Sequence, residues 1–347
     1  MLKIYTDTKI YIHCPAGIVT GGAELLHQLV SFLRSNNREA YIVYFGDSPH
    51  IIPSDYSTYN LKIANCVENN SHNIEIFYEG IFNVVTRYSY TQKFLWWLSV
   101  ENFYLSAYNY LSIRDLIRWD TKMGMRRLKE RILMLMHGHH PYRNILKIKD
   151  LVRLNIPCGY QAEFIQNHLY KLGFSEIMPL KDYINIEHCK TFTTENRENI
   201  VIYNPKKGIE FTKKLIQKTP DIKWVPLHNM TRKKLIETIN RAKLYVDFGS
   251  HPGKDRLPRE CAMNGCCIIT GKRGTASFYE DVPLPDTYKF NEKTTNITDI
   301  ITTIRWVLKN YATVINDFAY YRNIIRQEKP EFEQQIRNIF KIYPNEK

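Results

Sequence analysis

The sequence lacks the features that mark membrane-spanning, secreted and disulfide-stapled proteins. No run of about 18 apolar residues occurs, so we expect no transmembrane helix. The first letters, MLKIYTDTK, hold no basic segment followed by a long apolar stretch, so we expect no signal peptide. The cysteines number seven and contain no CxxC pair, which favours a reducing cytosol. We therefore expect a cytoplasmic protein, with peripheral attachment to the inner face of the cell membrane as a candidate.

Two common nucleotide-binding motifs are also missing, the P-loop pattern GxxxxGK[ST] and the pattern GxGxxG. Acidic residues are in the minority, because 48 Lys and Arg face 35 Asp and Glu and leave a net charge of +13. That charge predicts an anionic partner, and phosphorylated small molecules, nucleic acid and anionic lipid all fit it. The length of 347 residues favours two domains over one.

The segment HPGKDRLPRECAMNGCCIITG (His251 to Gly271) holds a dense group of candidate ligands. It begins after an apolar run, Leu244–Gly249, and ends in another, Cys266–Thr270, so a strand, a polar loop, a short helix and a strand form a βαβ unit. The loop of such a unit opens at the carboxyl edge of the sheet, where parallel folds bind ligands. Cations beside a helix N-terminus suit a polyphosphate, and a carboxylate suits ribose hydroxyls. The residues that supply them are Lys254, Arg256, Arg259 and Glu260.

Strand and helix periods alternate on both sides of a polar stretch, 187–198, that has no apolar period and is the best candidate for a linker. This alternation predicts an α/β chain of two Rossmann-like domains with parallel sheets. The expected division is an N-terminal Rossmann-like domain (1–186), a hinge (187–198), a C-terminal Rossmann-like domain (199–325) and a C-terminal helix (326–347) that is a candidate to pack back on the first domain.

The first βαβ unit carries its own candidates after the strand Ile10–His13. Gly21 and Gly22 would let the backbone approach a ligand closely. Glu24 fits either a carboxylate that complements the helix dipole or a catalytic or acceptor-binding group. His13 is a candidate general base, with a structural role as the alternative.

A basic and aromatic insertion is expected at about 89–154. Eleven Lys or Arg stand against four acids between Arg114 and Arg153, after the aromatic stretch Phe94–Leu111. Basic helices beside exposed aromatics suit an anionic membrane surface or single-stranded nucleic acid, and a solvated helix face over buried aromatics is the third possibility. The histidines of HGHH have no Cys or carboxylate at ligand spacing, so we expect no metal there; they are His137, His139 and His140.

The order of several segments resembles the two-domain glycosyltransferases of the GT-B fold, in particular those related to family four. The resemblance covers nearly the whole chain, and it implies that the N-terminal domain (1–186) binds the acceptor and that the C-terminal domain (199–325) binds the nucleotide-sugar. Its segments are GGAE (Gly21 to Glu24), the helix and strand within Cys158–Asn185, YNPKKG (Tyr203 to Gly208), RECAMNGC (Arg259 to Cys266) and GKRGTASFYED (Gly271 to Asp281).

The resemblance implies that Lys207, with Lys206 beside it, contacts the donor diphosphate, and that Glu260 binds the donor ribose. The sequence departs from the family where Pro252 takes the place of a first glutamate and where an arginine before the diphosphate lysine is absent. Lys254, Arg256 or Arg259 could supply the missing charge. The full set of expected donor-binding residues is Asn204, Lys206, Lys207, Lys254, Arg256, Arg259, Glu260 and Thr275.

The implied activity is transfer of a sugar from a nucleotide-sugar donor to a glycan or lipid-linked glycan, in bacterial surface polysaccharide synthesis. No metal and no cofactor are expected, because fixed cations and a helix N-terminus can stabilise the leaving diphosphate. If the reaction inverts configuration, His13 or Glu24 would take the acceptor proton; if it retains configuration, the leaving phosphate would. The alternatives are a nucleotide-sugar epimerase of the same architecture and a single-stranded nucleic-acid-binding protein, although no nucleic-acid partner is expected.

Overall fold

The computed structural model describes residues 2–85, 90–138, 147–185 and 192–342. Part of the predicted linker (187–191) and two of the HGHH histidines, His139 and His140, lie outside these ranges. Contacts divide the chain into two compact units. The first comprises Met1–Gln161, Ile165–Lys181 and Glu333–Lys347, and the second comprises Ala162–Phe164 and Asp182–Phe332.

The first unit is built on a six-stranded parallel sheet in the order β2-β1-β3-β4-β5-β6. Its strands are β1 (Lys9–Pro15), β2 (Glu39–Phe45), β3 (Ile74–Tyr78), β4 (Gln92–Trp97), β5 (Cys158–Tyr160) and β6 (Ile177–Pro179). The helices between them are α1 (Gly21–Ser35), α2 (Val100–Ala107), α3 (Ile113–Trp119), α4 (Thr121–Met136) and α5 (Ile148–Arg153).

Strand β4 lies within the basic and aromatic segment expected at about 89–154, and it agrees with the third possibility, in which the aromatics are buried. Phe94, Trp96, Trp97 and, in α2, Phe103 are fully buried, so these aromatics fill the core beside the sheet rather than a surface. A strand covered on both faces has a continuous apolar sequence and shows no alternation, which is why its letters did not indicate a strand. Seven of the eleven basic residues follow separately, in the helical hairpin of α3 and α4, and Lys149 and Arg153 lie in α5.

The second unit is built on a five-stranded parallel sheet in the order β11-β10-β9-β7-β8. Its strands are β7 (Glu198–Tyr203), β8 (Lys223–Pro226), β9 (Ala242–Asp247), β10 (Cys267–Gly271) and β11 (Lys289–Phe290). Its helices are α7 (Ile209–Lys218), α8 (Arg232–Arg241), α9 (Arg256–Met263), α10 (Ile297–Lys309) and α11 (Tyr311–Val314). Two further helices of the chain are α6 (Glu163–Leu172) and α12 (Ala319–Phe340).

The strand order of the second unit fixes where a ligand can approach. Strand β7 pairs with β8 on one side and with β9 on the other, so the connections after β7 and β9 diverge at the carboxyl edge. Such a switch point leaves a crevice outside the strand ends. The loops after these two strands are the ones that the sequence marks as polar, basic and glycine-bearing.

Both units join parallel strands through helices, so the predicted α/β chain of two Rossmann-like domains is confirmed. Apolar side chains form the core of the second unit, with β9 and β10 almost wholly buried. None of the helices in the described ranges combines the length and the apolar character needed to cross a bilayer.

Candidate functional site at the carboxyl edge of the second sheet

The loop after β7 is pressed against the loop after β9. Gly208 has a φ of +58°, and a Cβ there would lie 2.4 Å from the carbonyl carbon of Phe248. At Gly249 a Cβ would lie 2.3 Å from the Cβ of Lys207. Only glycines permit this approach, and the result places Lys207 directly over the end of β9. Within the first loop, the backbone N–H of Lys206 donates to Oδ1 of Asn204 at 3.0 Å, which holds the turn.

Two helices begin at this point. Helix α7 has as its N-cap Gly208, which has no side chain to cap the helix, and α9 has Asp255, whose carboxylate makes no hydrogen bond to the first turn. The two starts are joined because Nζ of Lys207 donates to both carboxylate oxygens of Asp255, at 2.8 and 2.7 Å. Backbone N–H groups at helix N-termini, together with an ammonium group, form a site suited to an anion.

A chain of alternating charges continues inward from Lys207. Oδ2 of Asp255 lies 3.1 Å from Nδ1 of His251, and Nε2 of His251 lies 3.7 Å from Oδ1 of Asp247. Burial disfavours the imidazolium, but the two aspartates outweigh it and raise the pKa of His251. Burial would likewise raise the pKa of Asp255, but His251 and Lys207 hold it below its usual value. These charges balance one another within the unit.

Asp247, His251 and Asp255 also form the group of described residues that could hold a cation, since their ligand atoms lie within 4.8 Å of one another. The oxygens of Asp247 already accept hydrogen bonds from the hydroxyl of Tyr245 (2.6 Å) and the N–H of Gly249 (2.8 Å). Lys207 and His251 supply the compensating positive charge. The donor set is therefore satisfied by the protein itself, and the absence of a metal requirement stays a prediction.

Arg259 and Lys254 lie deeper, and both form ion pairs inside the second unit. The Arg259 guanidinium is 1% exposed and donates to Asp182 (2.6 Å) and Glu328 (2.8 Å). Lys254 Nζ lies 2.9 Å from the other oxygen of Glu328. This buried network holds α9 and the loop before it against α12 and the start of the unit. We therefore assign Arg259 to the interior of the unit, because its donors already face buried carboxylates, rather than to a ligand.

The remaining predicted donor residues occupy three different settings. Glu260 is buried, and its Oε2 accepts from Arg232 at the first turn of α8, at 2.8 Å. Thr275 is fully buried, and its hydroxyl donates to the carbonyl of Gly253 at 3.0 Å, so it ties two loops of the edge together. Arg256 is the half-buried first residue of α9, and Lys206 is exposed beside Lys207.

In the first unit, His13 does not stand free at the end of its strand. Its Nε2 lies 2.8 Å from Oε2 of Glu75, and its ring stacks on Phe77 at 4.5 Å. Glu75 is fully buried and also accepts from Nζ of Lys93, at 2.5 Å. The three side chains form a polar row across β1, β3 and β4, which occupies the acceptor oxygens of Glu75 and orients His13.

Glu24 is held separately from His13. Its Oε1 accepts from the hydroxyl of Tyr59 at 2.8 Å, in the first turn of α1. Gly21 and Gly22, which we expected in a glycine loop that approaches a ligand, are the first residues of this helix, and a close approach of their backbone to a ligand stays a prediction.

Glu79 is a carboxyl group that the sequence did not single out. It lies just after β3, is almost fully buried, and its Oε2 accepts from the N–H of Leu98 at 2.8 Å. Burial raises the pKa of Glu79 to about 8, although backbone N–H groups act in the opposite direction. Nothing in the sequence marks Glu79, because a single Glu that follows an apolar run is usually exposed to solvent.

No protein-family model and no curated protein matches the sequence. Solved structures do match in fold. Sucrose-phosphate synthase from Thermosynechococcus elongatus superposes with a TM-score of 0.59 at 11% identity, covering 96% of this chain and 98% of that one. HepE from Anabaena, solved with UDP and glucose, gives a TM-score of 0.56 at 12% identity, covering 96% and 99%. These likenesses bear out the predicted GT-B architecture.

Proposed function

We propose that the chain is a glycosyltransferase that binds a nucleotide-sugar donor at the carboxyl edge of the second sheet. The observation that carries this proposal is the meeting of two helix N-termini without side-chain caps at one lysine. A diphosphate would accept hydrogen bonds from the first-turn N–H groups of α7 and α9 and from Nζ of Lys207. The HepE structure, similar in fold, was solved with UDP and glucose, which is consistent with such a donor.

The proposed roles follow from charge and position. Lys207 would leave Asp255 in part to stabilise the departing diphosphate, while the helix N-termini supply fixed partial charges that need no reorganisation. Lys206, exposed beside it, would add charge at the mouth of the site. Glu260, oriented by Arg232, would accept hydrogen bonds from the ribose hydroxyls. Asn204 would act through the turn it holds.

The acceptor that we propose is a glycan or lipid-linked glycan, and the pathway is bacterial surface polysaccharide synthesis. This finer assignment rests on the family resemblance of the sequence. Glu24 in the first unit, half-buried beside Tyr59, is the better placed of the two candidate bases, because His13 is committed to Glu75.

The donor proposal is tested by calorimetric titration with UDP, GDP, ADP and their sugar derivatives. We expect one diphosphate series to bind, and Lys207→Ala to weaken it by roughly 10- to 100-fold, because a charge-assisted hydrogen bond contributes about 1.5–3 kcal/mol. Glu260→Gln should weaken nucleotides more than inorganic pyrophosphate, which has no ribose.

The matched control is Lys213→Ala, which removes an exposed lysine from the same helix, α7. It should bind like the parent protein. Absence of binding by every nucleotide, or equal losses in Lys207→Ala and Lys213→Ala, would contradict the donor site. Consumption of the donor without any acceptor, to give an epimeric sugar nucleotide, would contradict the transferase assignment.

A further inference from the structure

Helix α4 leaves one face uncovered, and that face mixes aliphatic and cationic side chains. The exposed apolar residues include Met125, Ile132 and Leu133, and Met136 is 76% exposed. The exposed cations on the same helix are Lys122, Arg126 and Lys129. Four large apolar side chains on a helix in contact with water are costly, at about 25 cal/mol for each Å² of apolar surface exposed. A surface of this kind indicates a partner.

The helical period places these residues together. Gly124 and Arg127 face inward, since a Cβ at Gly124 would lie 2.3 Å from Cγ1 of Ile117 in α3 and Arg127 is buried. Positions separated by three, four and seven residues share a side, so Met125, Ile132 and Met136 align with Lys129 between them. The aliphatic groups form a strip, and Lys129 and the other exposed cations lie within it and beside it.

The charged residues of helix α4 are nearly all positive. Its sixteen residues hold five Lys or Arg and a single acid, Glu130, which Arg126 contacts at 3.0 Å. Helices that lie in the plane of a membrane interface have a low mean hydropathy and carry both exposed cations and exposed aliphatic side chains, as α4 does. Anionic headgroups would meet the cations while the strip enters the boundary of the acyl chains.

We propose that α4 docks the protein on a membrane that carries anionic lipid. Charge complementarity selects this occupant over the others. A second copy would bring the three exposed cations of each α4 together, and like charges repel across an interface. Single-stranded nucleic acid is bound through stacking on aromatic side chains, whereas the large aromatics Phe94, Trp96, Trp97 and Phe103 upstream of this helix are buried. The proposal is independent of the donor site, since it concerns another unit and other residues.

The test is flotation of the full chain with vesicles of neutral phosphatidylcholine, alone or with 30% phosphatidylglycerol. We expect binding to the anionic vesicles only, weakened by raised salt. Lys122→Gln, Arg126→Gln and Lys129→Gln together should weaken it by roughly 100-fold, at about fivefold for each cation. Ile132→Ser with Met136→Ser should also weaken it, which separates insertion from simple charge attraction.

The matched control replaces three exposed lysines of α7 with glutamine, which removes the same charge from another helix; these are Lys213, Lys214 and Lys218. It should float like the parent protein. The proposal is overturned by equal binding to both vesicle types, by equal losses in the two triple variants, or by the absence of vesicle binding together with a dimer that Ile132→Ser and Met136→Ser dissociate. All substitutions lie on exposed positions, and circular dichroism checks that each variant is folded.

Discussion

Arg259→Gln offers the most direct test of how the second unit is held together. The guanidinium donates to Asp182, Glu328 and the carbonyl of Lys254, at 2.6, 2.8 and 2.9 Å. In the variant, Glu328 keeps Lys254, but Asp182 loses a cation, and its Oδ1 is already buried without a hydrogen-bond partner among the described residues. Leaving one buried carboxylate uncompensated costs about 3–5 kcal/mol. For a unit of this size the midpoint of thermal unfolding should fall by roughly 6–20 °C.

The assay is thermal unfolding followed by circular dichroism, with nucleotide binding measured well below the midpoint. Arg305→Gln is the control, because it removes an arginine from an equally well-formed but exposed ion pair with Asp221. We expect the control to change little, and Asp182→Asn added to Arg259→Gln to recover part of the loss.

A midpoint for Arg259→Gln no lower than that of the control would refute the reasoning. So would a variant that keeps its stability but loses nucleotide binding, because that result would return Arg259 to the ligand-binding residues predicted from sequence.

Two further predictions concern a buried acid and a glycine. Glu79 should make the free energy of unfolding fall as pH rises from about 4.5 to 8, because the folded protein keeps a proton that the unfolded chain releases. Urea unfolding at several pH values should show that Glu79→Gln removes a slope of up to about 1.4 kcal/mol per pH unit, and an unchanged slope would contradict this. Gly208→Ala should lower stability and diphosphate affinity more than Gly46→Ala, since both have positive φ but only the first would meet a neighbouring backbone. Equal effects of the two alanines in thermal unfolding and titration would argue against a close approach of the two loops.

Much of the fold could be predicted from local patterns in the sequence. The strands predicted around Ile10–His13, Leu244–Gly249 and Cys266–Thr270 are all present, because each is an apolar run bounded by polar turns. Strands β3 and β4 were not predicted. The letters FLWW in β4 indicated a possible surface segment, because composition alone does not tell whether an aromatic run is buried or exposed.

The candidate site could be predicted from the sequence only in part, and the reason is different. Lys207 could be found from its loop, but its bond to Asp255 depends on β7 lying beside β9, which no local pattern encodes. The same holds for Arg259, whose carboxylates are Asp182 and Glu328, far away along the chain. A basic residue near a helix start has the same sequence signature whether it faces a ligand or an internal acid.

The ion pair between Lys207 and Asp255 would limit which anions bind at this edge of the sheet. The carboxylate of Asp255 already bonds to the ammonium group of Lys207, so a ligand with one negative charge would offer Lys207 no more than Asp255 does. A diphosphate would bring more charge and more acceptor atoms, and under the proposed function it would also reach the helix N-termini, where Asp255 makes no capping bond. Asp255 would then compete with incoming anions for Lys207, so that acetate or chloride would not displace it, and the site would select for polyphosphates before any contact to the base or the sugar is made.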